Sequence, residues 1–319
     1  MIKINNTKIE FVKFPDGTCG KFDLEPSNFI SQVSREESVF SFNIVWQYES
    51  DEEYIKLKYI VDHLREKSKV NWLSLTMPYI PNARMDRTKN DSEIFTLKYF
   101  ANFINSLNFN RVNVLDPHSY VSVALINNVT ILPIDFYINS AIHDIMKKNK
   151  LSSRNNIVVY FPDEGAYKRY KDIVCLSENE KLYGKKVRDW ETGNIISLDI
   201  YNEREEKLVN HYGFDMETGG LDGKTEVFSE EFLPLENKVV LMVDDIISYG
   251  GTLAHSADKL KEFGASAIYA YATHTENSVL DEEKGALLSR LKSGVVNKIF
   301  TTNSIFNKEN NFVTVFMCC

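Results

Sequence analysis

Short apolar runs alternate with longer amphipathic segments along most of the chain. The runs are rich in Val, Ile and Phe and have the length of buried strands; they occupy 40–46, 70–76, 111–115, 156–161, 238–243 and 267–272. Segments 51–67, 92–107 and 252–263 repeat apolar residues at the i, i+3, i+4 spacing of a helix that packs on a sheet. This alternation predicts an α/β fold with parallel sheets.

The strand, loop and helix pattern occurs in both halves of the chain. For 319 residues, a prior of about 150 residues per domain also suggests two domains. We therefore predict two doubly wound domains, 1–140 and 141–319, each with a central, mainly parallel sheet flanked by helices. Between 178 and 237 the pattern weakens and only 195–201 resembles a strand; a long polar stretch inside a compact domain is usually functional or mobile.

Charge and composition narrow the classes of function. The chain has 37 Lys and Arg residues against 45 Asp and Glu residues, a net charge of −8, which argues against nucleic-acid binding. It has no apolar run of the ~18 residues needed to cross a bilayer and does not begin with a secretory signal pattern, so no membrane association is expected. Four scattered cysteines indicate a reducing compartment, and we expect a cytoplasmic protein.

The segment 239–252 carries the strongest local chemistry. A buried strand runs into two carboxylates, then a turn, then a helix, and this stretch contains Asp244, Asp245, Ser248, Tyr249, Gly250, Gly251 and Thr252. Glycines let the backbone approach an anion, the helix N-terminus donates N–H groups to it, and the adjacent carboxylates can accept hydrogen bonds from sugar hydroxyls. The alternative is a tight turn that caps a helix and binds nothing.

The run Val-Asp-Asp-Ile-Ile-x-x-Gly-Gly-Thr in this segment resembles the phosphoribosyl-pyrophosphate loop of phosphoribosyltransferases and ribose-phosphate pyrophosphokinases. The resemblance implies a phosphoribosyltransferase-like fold for both domains. It also implies that 248–252 holds the phosphate of ribose 5-phosphate, while Asp244 and Asp245 orient its ribose. The loop alone does not choose between the transferases and the kinases.

The segment 78–87 distinguishes the two families. On its own it is a rigid Pro-x-x-Pro stretch followed by Arg84, Met85, Asp86 and Arg87, which is more often a solvated loop with an ion pair. It resembles the ATP-contacting Pro-Tyr-x-x-Tyr-Ala-Arg-Gln-Asp-Arg segment of ribose-phosphate pyrophosphokinases, with Met85 in place of Gln. The segment 14–18 resembles their Phe-x-Asp-Gly-Glu segment, which implies that Asp16 also contacts ATP.

Three further segments follow in the order of the kinase family. The segment 113–118 resembles Val-Asp-Leu-His and 158–169 resembles Ser-Pro-Asp-x-Gly-x-x-Lys-Arg, which implies that His118 and Asp163 hold Mg²⁺ and that His118 also contacts ATP. The run 185–188 resembles the Lys-x-Arg of a flexible catalytic loop. This resemblance implies that Lys186 and Arg188 are the catalytic cations; an alignment shifted by one residue would place Lys185 at the lysine of the motif. Without the other motifs, an exposed basic turn would be the simpler interpretation.

The resemblance implies a ribose-phosphate diphosphokinase. Such an enzyme transfers the β,γ-diphosphoryl group of MgATP to the 1-hydroxyl of ribose 5-phosphate and gives 5-phosphoribosyl 1-pyrophosphate and AMP. Its cofactor is Mg²⁺, its partners are the two substrates, and it forms a homo-oligomer, a dimer or a hexamer. Two alternatives stay open: a phosphoribosyltransferase that uses this product, and a non-catalytic homologue that regulates a synthetase. The second is favoured by Ser248-Tyr249, which stand where the family usually has Asp-Thr before Gly-Gly-Thr.

Overall fold

The computed structural model describes residues 1–20, 24, 39–188, 195–208, 211–214, 228–232 and 234–318. The chain divides into two compact units. The N-terminal unit comprises Met1–Ile134, Thr302–Ile305 and Met317–Cys319, and the C-terminal unit comprises Asp135–Thr301 and Phe306–Phe316. The chain first passes from one unit to the other at Asp135, where a helix begins. The division into a nucleotide side and a sugar side at residue 140 stays a prediction.

The N-terminal unit is built on a six-stranded sheet in the order β2-β1-β3-β4-β5-β6. Its strands are β1 (Ile2–Ile4), β2 (Thr7–Lys8), β3 (Val39–Trp46), β4 (Lys69–Met77), β5 (Arg111–Leu115) and β6 (Val129–Leu132). Strands β3 to β6 pair in parallel, and β1 pairs antiparallel with β2 and β3. Its helices are α1 (Glu52–Lys67), α2 (Thr96–Ser106) and α3 (Tyr120–Leu125). Helix α1 buries Leu57, Ile60 and Leu64 because their spacing places them on one face.

The C-terminal unit is built on a seven-stranded sheet in the order β15-β14-β13-β12-β7-β8-β9, and β10 and β11 pair separately. Its strands are β7 (Ile157–Phe161), β8 (Lys181–Arg188), β9 (Ile195–Asn202), β10 (His211–Phe214), β11 (Phe228–Phe232), β12 (Val239–Ile247), β13 (Ala267–Thr275), β14 (Lys298–Thr302) and β15 (Val313–Phe316). Its helices are α4 (Asp135–Asn149), α5 (Glu164–Tyr170), α6 (Gly251–Glu262) and α7 (Ala286–Lys292). Strand β12 is central, between β7 and β13, and is parallel to both.

The predicted α/β fold with two mainly parallel sheets flanked by helices is confirmed. Strand β12 extends to Ile247, beyond the predicted end at 243, so its two carboxylates lie inside the strand. Helix α2 begins at Thr96 rather than at 92. Among the helices of the described residues, none combines the length and the hydropathy that a bilayer crossing requires.

The run that carries Lys186 and Arg188 differs from the expected loop. Their backbone belongs to β8, where Lys186 is paired with Leu198 and Arg188 with Ile195 of β9. The register of β8 with β7 ends at Tyr183, so the last residues of β8 form a two-stranded arm with β9 at the edge of the sheet. Beyond Tyr183, β8 pairs with β9 alone, and a strand segment paired on one side accepts charged residues that a central strand would exclude, so the basic run gave no apolar strand signal.

Candidate active site

The loop that follows β12 is shaped by one glycine. Strand β12 ends at Ile247, and the turn of Ser248, Tyr249 and Gly250 leads into α6 at Gly251. Gly250 has a φ of +76°, in the left-handed region, and a Cβ at this position would collide with Leu287 of α7. A Cβ on Gly251 would meet nothing within 4 Å. The loop therefore packs on α7 at Gly250 and has open space at the N-terminus of α6, where oriented N–H groups favour an anion.

Three carboxylates belong to the same end of the C-terminal sheet. Asp244 and Asp245 lie at the end of β12, and Asp163 follows the neighbouring strand β7 and caps α5, where its carboxylate accepts a hydrogen bond from the Ala166 amide at 3.0 Å. Burial raises the pKa of Asp244 well above its ordinary value of 3.8, and repulsion from Asp245 and Asp163 adds to the rise. Arg169 lies 3.3 Å from Asp245. The carboxyl ends of parallel strands, where open α/β sheets bind ligands, are strongly acidic here.

The acid cluster fits a loosely held, water-rich Mg²⁺. Burial, the main cause of the raised pKa of Asp244, and the neighbouring carboxylates both disfavour its charged form, and a hard cation with oxygen ligands would favour that form. Within the residues that the structure describes, no group of three His, Cys, Asp or Glu side chains is arranged as a ready metal centre. Mg²⁺ keeps several waters and is bound through one or two carboxylates together with substrate phosphates.

The substitution Asp244→Asn is expected to stabilise the unliganded protein most at high pH. A raised pKa in the folded state means that the native protein binds the Asp244 proton more tightly than the unfolded chain does, so stability is lost as the pH rises from about 3.8 through the folded-state pKa. Melting curves should show the variant roughly 3 °C above wild type at pH 8, with the difference closing towards pH 4. Asp62→Asn, on the surface of α1, is the control. Equal melting temperatures at pH 8 would contradict the acid-cluster interpretation.

Ser248 has a partner that the sequence did not reveal. Its hydroxyl donates a hydrogen bond of 2.6 Å to Oε2 of Glu276, and Ser278 donates to the same oxygen at 3.1 Å. The sequence predicts that the Ser248 hydroxyl binds a phosphate, whereas in the structure this hydroxyl donates its proton to Glu276. Glu276 directly follows β13, whose end lies beside the end of β12, so adjacency of parallel strand ends was the one available signal. A carboxylate thus stands beside the loop, and Tyr249 is exposed.

In the N-terminal unit, the loop after β4 holds the arginines of the 78–87 segment. Arg87 makes two hydrogen bonds to Asp86, Nε to Oδ1 at 2.8 Å and Nη2 to Oδ2 at 3.1 Å. The donation from Arg87 holds the pKa of Asp86 below its usual range, and Ser119 and His118 contribute smaller effects in the same direction. Arg84 and Met85 are exposed. The structure thus brings the Asp86–Arg87 pair near His118.

Asp16, Lys186 and Arg188 are the other residues that the sequence predicts for the site. Asp16 lies in an exposed turn, where the Thr18 amide donates to it at 2.9 Å and lowers the pKa of its carboxyl, with the Thr18 hydroxyl adding to the effect. The side chains of Lys186 and Arg188 lie outside the described residues, and only their positions on β8 are known. The roles assigned to the site residues stay predictions.

Comparison with known proteins agrees with these features. No protein-family model matches the chain. It is 28% identical over 264 residues to ribose-phosphate pyrophosphokinase 2, chloroplastic, of Spinacia oleracea, a match that covers 82% of this chain and 56% of the relative. It is 26% identical over 263 residues to ribose-phosphate pyrophosphokinase of Campylobacter jejuni, which covers 82% of this chain and 70% of that one. The chain resembles the ribose-phosphate pyrophosphokinases.

A solved structure also matches the fold of this chain. The crystal structure of phosphoribosylpyrophosphate synthetase from Mycobacterium smegmatis matches with a TM-score of 0.63 over 97% of this chain and 86% of that one, at 16% sequence identity. The predicted phosphoribosyltransferase-like fold is therefore confirmed. The chain spans little more than half the length of the matched plant relatives, 56% in Spinacia oleracea and 55% in Oryza sativa.

Proposed function

We propose that this protein is a ribose-phosphate diphosphokinase. The observation that carries the proposal is the presence of two different segments suited to anions in one chain that resembles these kinases. The C-terminal unit has a glycine loop with two acids before it, and the N-terminal unit has an arginine and acid pair near His118. A phosphoribosyltransferase would need only the first of these segments, so the second favours the kinase.

Ribose 5-phosphate would bind at the end of β12. The open space beside Gly251 and the N–H groups at the start of α6 suit its phosphate, with Tyr249, Gly250 and Thr252 completing the loop. Ser248 would act through its bond to Glu276, which fixes the first residue of the turn. Asp244 and Asp245 would accept hydrogen bonds from the ribose hydroxyls and so orient the sugar.

ATP would bind through the loop after β4. Asp86 holds the guanidinium of Arg87 as a planar fork, a shape that matches phosphate oxygens, and Arg84 adds a second cation. Met85 and Asp16 are further proposed ATP contacts, and His118 would contribute an imidazole nitrogen. Mg²⁺, when it is bound with the nucleotide, would neutralise phosphate charge; His118 and Asp163 are the residues that we propose to hold it.

In the proposed reaction the 1-hydroxyl oxygen of the sugar forms a bond to the β-phosphorus of ATP, and the bond from that phosphorus to the oxygen that leaves with AMP breaks. The proton of the 1-hydroxyl is released to water. Phosphoryl transfers of this kind are catalysed mainly by positioning and by charge neutralisation. Lys186 and Arg188 would supply positive charge to the oxygens of the transferred group as that charge develops. The carboxylates near the sugar keep its hydroxyls aligned for in-line attack.

The proposal is tested by AMP release from ATP in the presence of ribose 5-phosphate. Pure protein with Mg²⁺ should release AMP only when both substrates are present, and ribose without the phosphate should not replace ribose 5-phosphate. Release of pyrophosphate from 5-phosphoribosyl 1-pyrophosphate that depends on a nitrogenous base would indicate a phosphoribosyltransferase instead. Binding of both substrates without turnover, with an active synthetase that co-purifies, would indicate a regulatory homologue.

We further propose a homo-oligomer, a dimer or a hexamer, in the cytoplasm. The reduced thiols of Cys19, Cys175 and Cys318 suit a reducing compartment. Some of the relatives are named as chloroplastic proteins.

A further inference from the structure

Lys185 is the member of the basic run 185–188 to which the proposed reaction gives no role. Its ammonium nitrogen lies 3.3 Å from Oε1 of Glu164, 4.6 Å from the centre of the Tyr201 ring and 5.4 Å from the centre of the Tyr183 ring. The side chain of Lys185 is about one-third exposed. A single lysine on β8 thus contacts α5 through its charge and β9 through an aromatic face.

The rings around Lys185 form a continuous stack. Tyr167 of α5 stacks on Tyr183 of β8 with ring centres 4.6 Å apart and planes inclined by 17°, and Tyr183 stacks on Tyr201 of β9 at 6.0 Å. Aromatic pairs at these distances and a cation over their faces are mutually favourable. The stack and Lys185 therefore join α5, β8 and β9 at the place where β8 leaves its register with β7.

Both residues of the Lys185–Glu164 pair are next in sequence to a proposed site residue. Glu164 is the first residue of α5 and follows Asp163, the capping residue that we propose to hold Mg²⁺. Lys185 directly precedes Lys186 on β8. Gly184, between the stack and Lys185, passes so close to β7 that a Cβ there would collide with the Tyr160 hydroxyl. The start of the arm is thus packed against the strand that leads to Asp163.

We propose that Lys185 is a positioning residue that fixes the base of the β8–β9 arm to the N-terminus of α5. The inference rests on the proposed function for its kinetic consequence, because fixing the arm places Lys186 and Arg188 relative to Asp163. Lys185 itself contacts no substrate. Lys185 and Lys186 were both candidates for the lysine of the Lys-x-Arg motif. In this proposal Lys185 anchors the arm, and the residues after it act on the substrate.

Lys168 provides an internal comparison. It also pairs with Glu164, at 3.6 Å, but its side chain is 74% exposed and it follows Glu164 by one helical turn on α5. A solvent-exposed pair within one helix contributes little and connects nothing else. Lys168→Met is therefore the matched control for Lys185→Met, since each removes one cation from Glu164.

The test combines hydrogen exchange with kinetics on the full chain. In Lys185→Met, we expect the backbone amides of β8 and β9 near Lys185 to exchange about tenfold faster, kcat to fall about tenfold, and KM for ATP and ribose 5-phosphate to stay within about twofold. Lys185→Arg should restore both properties to near wild type, because arginine retains the ion pair and stacks on tyrosine. Glu164→Gln should accelerate the same amides, and Lys168→Met should change neither exchange nor kcat.

The exchange measurement separates this proposal from the proposed function. If wild-type protein releases no AMP but Lys185→Met still accelerates exchange in the arm, the proposed reaction is wrong and the anchoring role stands. Unchanged exchange in Lys185→Met would overturn the anchoring role whatever the activity. A loss of kcat of about a thousandfold with unchanged exchange and no rescue by arginine would show that Lys185 is a catalytic residue.

Discussion

Replacing Lys186 with alanine is expected to lower kcat about 10²–10³-fold while KM for both substrates changes less than about threefold. The reason is that a cation which meets charge developing on a transferred phosphoryl group stabilises the transition state more than the bound substrates. Loss of such a cation therefore appears in kcat and in kcat/KM together. Steady-state kinetics with each substrate varied in turn measures the effect.

Lys168→Ala is the control for Lys186→Ala, because it removes an equal charge from an exposed position on α5. It should leave kcat within about twofold of wild type. An increase in KM for ATP as large as the fall in kcat/KM would mean that Lys186 binds the ground state of the substrate, and its proposed catalytic role would then be wrong.

Replacing Gly250 with alanine is expected to lower the free energy of unfolding of the C-terminal unit by roughly 2–5 kcal/mol. An L-residue in the left-handed region costs about 1–2 kcal/mol, and forcing a methyl group against Leu287 adds about 1–3 kcal/mol. Because the turn must move to relieve both, binding of ribose 5-phosphate should be lost as well. Denaturant unfolding and ligand titration measure the two losses.

The neighbouring glycine separates binding from stability. In Gly251→Ala the new methyl group meets nothing within 4 Å and lies on the first residue of α6, where alanine suits a helix. The unfolding midpoint should stay within experimental error of wild type, while KM for ribose 5-phosphate should rise about tenfold, because the methyl group occupies the space proposed for the phosphate. An unchanged KM in this variant would place the phosphate elsewhere.

The sequence predicted much of the fold because its central strands are buried on both faces. Strand β7 is a continuous buried apolar run, β12 is apolar from Val239 to Val243, and α1 and α6 have a clear helical spacing of apolar residues. The arm of β8 and β9 was expected as a loop and a single strand, because the part of β8 beyond Tyr183 is charged and pairs only with β9, the edge strand. Hydrophobic periodicity carries no signal there.

In the candidate site, features formed by consecutive residues could be predicted, and contacts between distant residues could not. The glycine loop and its two acids could be predicted because they are consecutive in sequence, and the left-handed φ of Gly250 agrees with that prediction. The contacts of Ser248 with Glu276 and of Lys185 with Glu164 join residues that are distant in sequence. Such pairs depend on which strand ends lie side by side, and a single sequence does not specify that order.

The most direct test of the central claim follows the γ-phosphorus of ATP. With ATP labelled at that phosphorus, Mg²⁺ and ribose 5-phosphate, the account predicts that the label appears in a pyrophosphorylated sugar and that AMP is formed in an equal amount. The label enters the sugar with the β-phosphorus only if both are transferred as one group. Label in inorganic phosphate with ADP as the nucleotide product, or no transfer to the sugar under conditions where a known ribose-phosphate pyrophosphokinase works, would contradict the account.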